Sequence, residues 1–225
     1  MDKAVPGLIF DLDGTLVDTA PDLLGATNAV LRSEGRGEVD PATLRHMVGF
    51  GARSLISQAM AATGAPAEDA VLPELVTRFV DHYRAHIADF SAPFEGVEET
   101  LAALAAKGVP LAVLTNKPQE LADLLLKALK LDRFFSVIYG AGRMSYVKPD
   151  ARIFHDVMRD LNAATGIMIG DSITDVATAR AARAPVILVS YGYTPEPAHT
   201  LGGDAVTDDF RQIPALAKRI QEAVR

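Results

Sequence analysis

Hydrophobic and polar positions follow three different rhythms along this chain. Close to the start, Leu8-Ile9-Phe10 is an unbroken apolar run of strand character that stops at Asp11-Leu12-Asp13-Gly14-Thr15. After Asp18-Thr19-Ala20-Pro21 the period becomes helical. Leu23, Leu24, Val30 and Leu31 share one face, and Thr27 fills the turn between them. Gly35 and Gly37 end that run. The spacing predicts a short helix over residues 41–47, stopped at Gly49-Phe50-Gly51, and another over residues 52–63. A longer helix is predicted over residues 73–89, with Pro73 in its first turn. Its apolar face carries Leu75, Val76, Phe79, Val80, Tyr83 and Ile87. No strand is predicted between residues 17 and 90.

From Pro93-Phe94-Glu95-Gly96 onward, helices alternate with short apolar runs. Helices are predicted over residues 97–107, 119–131, 150–161, 174–183 and 210–224. Strands are predicted over residues 109–114, 134–139, 166–169 and 185–189. Strands that read as continuous apolar runs between helices are buried on both faces. An α/β fold follows, with a parallel sheet and helices on both faces. The opening run over residues 8–10 has the same character. The simplest organisation is one α/β domain, residues 1–16 and 91–225, interrupted by an all-helical insertion over residues 17–90.

Composition narrows the function. The chain has 225 residues, 49% hydrophobic and 23% charged, enough for one large domain carrying an insertion. A formal net charge of −7 argues against nucleic-acid binding, so an anionic substrate must be held by local cations or by a metal. With no cysteine, disulfides, thiolate metal ligands and cysteine nucleophiles are excluded, and a reducing cytosol fits. Residues 1–6 lack the pattern of a secretory signal, and no uncharged apolar run approaches the roughly 20 residues of a membrane span. A cytoplasmic monomer or homodimer, with no membrane partner, is expected.

The chemistry concentrates where strands end. Asp11 and Asp13 are two apart after the first run, and side chains of a strand two apart share a face. Two carboxylates about 5 Å apart repel by roughly 3 kcal/mol at an effective dielectric near 20. A cation between them, or a proton on one, relieves that cost. An Asp-Gly turn closing a hairpin, with both aspartates solvated, would explain the same residues. Sites in open α/β sheets form at the carboxyl ends of strands. There the chain places Thr115-Asn116-Lys117 after one strand and Gly170-Asp171-Ser172, followed by Asp175, after another. Lys148-Pro149 precedes a helix. Taken singly, Asp175 could complete a capping box with Ser172, and Lys148 could be a surface lysine.

Taken in order, the four segments resemble the motifs of the haloacid dehalogenase-like superfamily, whose phosphatases use an aspartate nucleophile. The resemblance covers the whole chain and implies a Rossmann-like core with an inserted helical cap. It implies that Asp11 is the nucleophile, that Asp13 protonates the leaving alkoxide and then activates water, and that Lys148 neutralises the phosphoryl group. Thr115, Asn116 and Gly14 would contribute to the phosphate grip, and Asp11, the Asp13 carbonyl, Asp171 and Asp175 would hold Mg²⁺. Asp13 argues against a dehalogenase, because expelling a halide needs no acid.

Leu16-Val17-Asp18-Thr19-Ala20-Pro21-Asp22-Leu23, Val48-Gly49-Phe50-Gly51-Ala52-Arg53, Thr115-Asn116-Lys117-Pro118 and Tyr191-Gly192-Tyr193 are similar to the phosphoglycolate phosphatase subgroup. On that resemblance the Gly49 turn offers backbone N–H groups to an anion, and Arg53 meets a substrate carboxylate. Phe50, where the subgroup commonly has a polar residue, and Asp150-Ala151, where it has His-Pro, depart from the pattern. A sugar phosphate, a nucleotide, a phosphosugar mutase activity or a non-catalytic phospholigand sensor are the alternatives. His82 and His86, four apart on a helix, have no third ligand in sequence and read as structural or solvated. Gly140-Ala141-Gly142 reads as a loop, and Arg180 and Arg183 as helix-end cations.

Overall fold

The computed structural model describes residues 5–223. The chain enters on β1 (Gly7–Phe10) and turns into the two-residue strand β2 (Val17–Asp18). Four helices follow: α1 (Ala20–Ser33), α2 (Pro41–Arg45), α3 (Ala52–Ala62) and α4 (Leu72–Ala85). The short β3 (Ala92–Pro93) returns the chain, and α5 (Val97–Ala106), β4 (Leu111–Pro118), α6 (Gln119–Ala128) and β5 (Val137–Ala141) come next. Then come α7 (Ala151–Asp160), β6 (Gly166–Gly170), α8 (Ile173–Ala181), β7 (Val186–Val189), β8 (Ala205–Thr207) and α9 (Ile213–Ala223).

Six strands form one parallel sheet in the order β5-β4-β1-β6-β7-β8. β1 lies at its centre, with Leu8 opposite Leu111 on one side and Ile167 on the other. The period of two then sorts its residues. Leu8 and Phe10 pack with Leu101 of α5, Leu125 of α6 and Ile213 of α9. Ile9 packs on the opposite face with Phe154 and Val157 of α7 and Ala179 of α8. A third core belongs to α1–α4, where Leu31, Leu55, Leu75 and Phe79 meet, and it reaches the sheet region through Leu121 and Tyr193.

Four strands differ from expectation. β2 and β3 pair antiparallel, Val17 opposite Pro93 and Asp18 opposite Ala92, as a ribbon where the chain leaves and re-enters the sheet. Two residues carry no periodicity, and Pro93 has no N–H to give a ladder. β8 is three residues long and was invisible for the same reason. β4 starts later than residue 109 and runs on to Pro118, so Thr115, Asn116 and Lys117 belong to a strand rather than to a loop. The helix expected to reach residue 89 stops at Ala85, where His86 leaves the helical region at φ −127°. A 3₁₀ turn over Phe210–Gln212 precedes α9. Residues 1–4 of the signal reading and Val224 of the last helix lie outside the described residues.

Buried Asp22 in α1 locks the ribbon. Its carboxylate accepts from the N–H of Phe90 and from both the N–H and hydroxyl of Ser91, the last two at 2.7 and 2.6 Å. Asp22→Ala leaves buried donors unsatisfied and is expected to cost about 2 kcal/mol, roughly 4–8 °C in Tm. Thermal unfolding checks this, and an unchanged Tm would contradict it.

Candidate active site

β1 hands its last rung to Asp11, whose N–H donates to Ile169 O at 2.8 Å. The backbone then folds over Gly14, at φ +82°. A Cβ on Gly14 would come 2.5 Å from Asp171 Oδ2, so glycine is what lets this turn close on the end of β6. Asp11, Asp171 and Asp175 are thereby gathered, with one carboxylate oxygen from each lying within 4.8 Å of the others. All three are buried.

Each carboxylate is held differently. Asp171 accepts from the Thr15 hydroxyl at 3.1 Å and from Tyr193 N–H at 2.7 Å. Asp175 completes the capping box of α8 through Oδ2, which accepts from Ser172 N–H, its hydroxyl and Asp171 N–H. Its Oδ1 accepts from Lys148 Nζ at 2.7 Å. Asp175 is therefore at once the capping residue of α8 and a member of the carboxylate cluster. Lys148 Nζ also lies 2.9 Å from Asp11 Oδ1, yet not along a hydrogen-bonding direction, and this buried oxygen has no donor.

The electrostatics follow from burial. Asp11 is pushed up to about 7, chiefly by desolvation, with Lys148 opposing and Asp175 adding repulsion. Asp171 is pushed up to about 8 by desolvation and then by the charges of Asp175 and Asp11. Burial alone would lower Lys148, but Asp11 and Asp175 raise it well above its ordinary value, so it is an ammonium. Three carboxylates share one cation, one oxygen is orphaned, and every donor atom is a hard oxygen. Such a set fits a divalent cation of the Mg²⁺ or Ca²⁺ kind. Among the described residues this is the one cluster of three metal-capable side chains. The rings of His82 and His86 lie 4.7 Å apart, tilted by 33°, with His86 turned to Asp89.

Asp13 lies beside this cluster in a partly open chamber between the sheet and the helical layer. Its Oδ1 accepts from the Thr19 hydroxyl at 2.7 Å and from Lys117 Nζ at 2.9 Å. Its Oδ2 has no donor among the described residues. Thr115 lines the chamber too, and its oxygen accepts from Lys117 N–H at 3.1 Å, leaving its own hydrogen to give.

Other expected residues are placed otherwise. Asn116 turns its amide N–H₂ onto two carbonyls, Gly49 O at 3.4 Å and Lys148 O at 3.2 Å, and so ties α3's leading loop to the Lys148 loop. Gly49 lines the chamber at φ +99°. Arg53 is not brought to Asp11. Its guanidinium points outward to Asp69 at 3.2 Å, its side chain 58% exposed, on the rim of a separate groove. The buried face of α3 is Leu55, Ile56, Ala59 and Met60, and Arg53 lies at its edge.

Lys117, Tyr83 and Tyr193, to which the sequence assigns no role, are also drawn to the site. Lys117 was legible, since it lies two positions after Thr115 on a strand and shares its face. Tyr83 reads as core, and it is fully buried, but its hydroxyl accepts from Lys117 Nζ at 2.8 Å. The Tyr193 hydroxyl accepts from Thr19 and Ala20 N–H at the start of α1 and donates to Asp18 at 2.7 Å. Nothing in the local sequence marks either contact.

A doubly wound parallel sheet with a buried acidic centre at the carboxyl ends of its strands defines an α/β enzyme. The chain belongs to the haloacid dehalogenase-like hydrolases, whose family model matches residues 8–189. It is 46% identical over 209 residues to a phosphoglycolate phosphatase of Caulobacter vibrioides, covering 92% of this chain and 88% of that one. It is 42% identical over 221 residues to a phosphoglycolate phosphatase of Agrobacterium fabrum, covering 96% and 94%. The crystal structure of a predicted phosphoglycolate phosphatase from Haemophilus somnus superposes with a TM-score of 0.89 at 27% identity, covering 96% of this chain and 99% of that one. The protein is thus a phosphoric monoester hydrolase. No helix among the described residues is long and apolar enough to cross a membrane.

Proposed function

We propose that the chain hydrolyses 2-phosphoglycolate through an aspartyl-phosphate on Asp11, with Mg²⁺ held by Asp11, the Asp13 carbonyl, Asp171 and Asp175. The observation that carries this reading is the buried Asp11 carboxylate beside Lys148, at the edge of the chamber between the sheet and the helical layer. Residues 17–90 act as the cap that closes the chamber. A cytoplasmic location belongs to the same reading, supported by the absence of cysteine.

A carboxylate oxygen of Asp11 attacks phosphorus as the bond to the leaving oxygen breaks. A proton carried on Asp13 Oδ2 passes to that oxygen, so glycolate leaves as a neutral alcohol at the broken end. Water then attacks the phosphorus of the aspartyl-phosphate and gives its proton to Asp13, and the bond to Asp11 breaks to release inorganic phosphate. Lys148 balances the charge gathered on the phosphoryl oxygens, and the Thr115 hydroxyl donates to one of them. A bound divalent ion supplies further neutralisation of the phosphoryl group.

One observation favours a larger substrate. Phe50 is 52% exposed at the mouth of the outer groove, which spans about 560 Å³ and reaches Lys148. Phosphate release from 2-phosphoglycolate, a set of sugar phosphates and a set of nucleotides separates the readings. With Lys117 as its one lining cation, the chamber predicts that 2-phosphoglycolate leads in kcat/KM by at least about tenfold, some 1.4 kcal/mol. A sugar phosphate or nucleotide in first place would contradict it.

A further inference from the structure

We infer that Lys117, with the hydroxyl of Tyr83, is the specificity-determining pair that binds a carboxylate one carbon beyond the leaving oxygen. The inference rests on the proposed phosphoglycolate reading and names the residues that would carry it.

Lys117 is the one cation among the residues lining the chamber, and its side chain is only 3% exposed. An ammonium has three hydrogens and no acceptor. Two of them are occupied, by Asp13 Oδ1 at 2.9 Å and Tyr83 at 2.8 Å. The third has no oxygen or nitrogen acceptor among the described residues, though Nζ lies 4.4 Å from the centroid of the Tyr83 ring. Tyr83 accepts from Lys117, so its own hydrogen is also free, and no acceptor among the described residues takes it. The ion pair with Asp13 at 2.9 Å supplies the counter-charge that a buried ammonium needs. Two donors without an oxygen or nitrogen acceptor, one of them ionic, thus belong to residues lining a chamber that also takes Leu23, Val48, Leu55, Phe79 and Leu121 into its walls.

Position makes the case specific. Asp13 must come within about 2.6–3.2 Å of the leaving oxygen to protonate it. A carboxylate attached through one carbon places its oxygens about 3 Å from that same leaving oxygen. Lys117 sits 2.9 Å from the other oxygen of Asp13, so a carboxylate at that offset comes within its reach. Tyr83 comes from α4, so the pair is complete only when the helical layer is seated on the sheet.

Monoethyl phosphate matches 2-phosphoglycolate in chain length and lacks the carboxylate. The ratio of kcat/KM for the two esters is the readout, because loss of Asp13 positioning lowers both rates together. Lys117→Met is expected to lower the ratio at least about tenfold, the range of a charge-assisted hydrogen bond. Tyr83→Phe, which keeps Lys117 and Asp13, is expected to lower it about threefold or more, and Lys117→Arg to retain most of it. If Lys117→Met does not give a cooperative thermal transition, the Tyr83→Phe and Lys117→Arg ratios carry the same test. A ratio within about twofold of the native protein's in both Lys117→Met and Tyr83→Phe would overturn the inference, leaving Lys117 to act only through Asp13. A ratio that collapses in Arg53→Ala instead would also overturn it. If the native protein shows no preference between the two esters, the phosphoglycolate reading itself fails. That outcome is distinct from a native preference that survives in the variants.

Discussion

Asp11→Asn removes phosphate release while the chain remains folded. An amide is a far poorer nucleophile than a carboxylate, and no other side chain in the cluster offers a carboxylate free of competing donors. Asp175 is held by Ser172, Asp171 N–H and Lys148, and Asp171 by Thr15 and Tyr193. The expected loss is at least about a thousandfold, ~4 kcal/mol in the barrier. Folding does not suffer in step, because burying a neutral amide costs less than burying a third carboxylate, and Lys148 keeps Asp175 as its partner. Phosphate release and thermal unfolding on one sample decide the matter. Activity within tenfold of the native protein would remove Asp11 from the role of nucleophile.

Removal of divalent metal has an effect of the same order. Chelation is expected to abolish turnover and Mg²⁺ to restore it, while Asp171→Ala is not rescued at ordinary metal concentrations. Ca²⁺ is expected to bind but support little turnover, because its larger and looser shell fixes geometry less well. Stability gives a readout independent of activity. Asp11 and Asp171 have their pKa values raised to about 7 and about 8, so the folded chain binds protons there that the unfolded chain does not. Their contribution to stability is fully present below the ordinary carboxylate range near 4 and is lost as pH rises through about 7 to 8. In chelator, Tm is therefore expected to fall between pH 5 and pH 8, and Mg²⁺ to reverse that fall by binding the folded state. A Tm in chelator that rises over that interval, or full activity in chelator, would contradict the account.

Why the sheet was legible is clear from its strands. Leu8-Ile9-Phe10 and Ile167-Met168-Ile169 are apolar on both faces because helices cover both, so burial is written as a continuous run. The acidic ends of those strands were legible for the converse reason, since buried carboxylates that lack a packing role stand out. What stayed hidden depends on contacts across the chain. The β2–β3 ribbon is two residues on each side, and its stability comes from Asp22 reaching residues 90 and 91. Tyr83 and Lys117 are separated by 34 positions and belong to different layers, so neither sequence pattern contains the other. Arg53 was expected at the substrate because it follows the Gly49–Gly51 turn, but which way a guanidinium leaves the first turn of a helix depends on its partners. Here that partner is Asp69.

The central claim is that phosphate passes through Asp11 with Asp13 serving both halves of the reaction. An aryl phosphate has a leaving group that departs without an acid, so Asp13→Asn should still be phosphorylated while water attack is crippled. Rapid mixing of Asp13→Asn with p-nitrophenyl phosphate and Mg²⁺, followed by acid quench and peptide mass spectrometry, measures this directly. The account predicts a burst of p-nitrophenol approaching one equivalent per chain and a phosphoryl group on Asp11. No burst, or phosphate recovered on a residue other than Asp11, would contradict it.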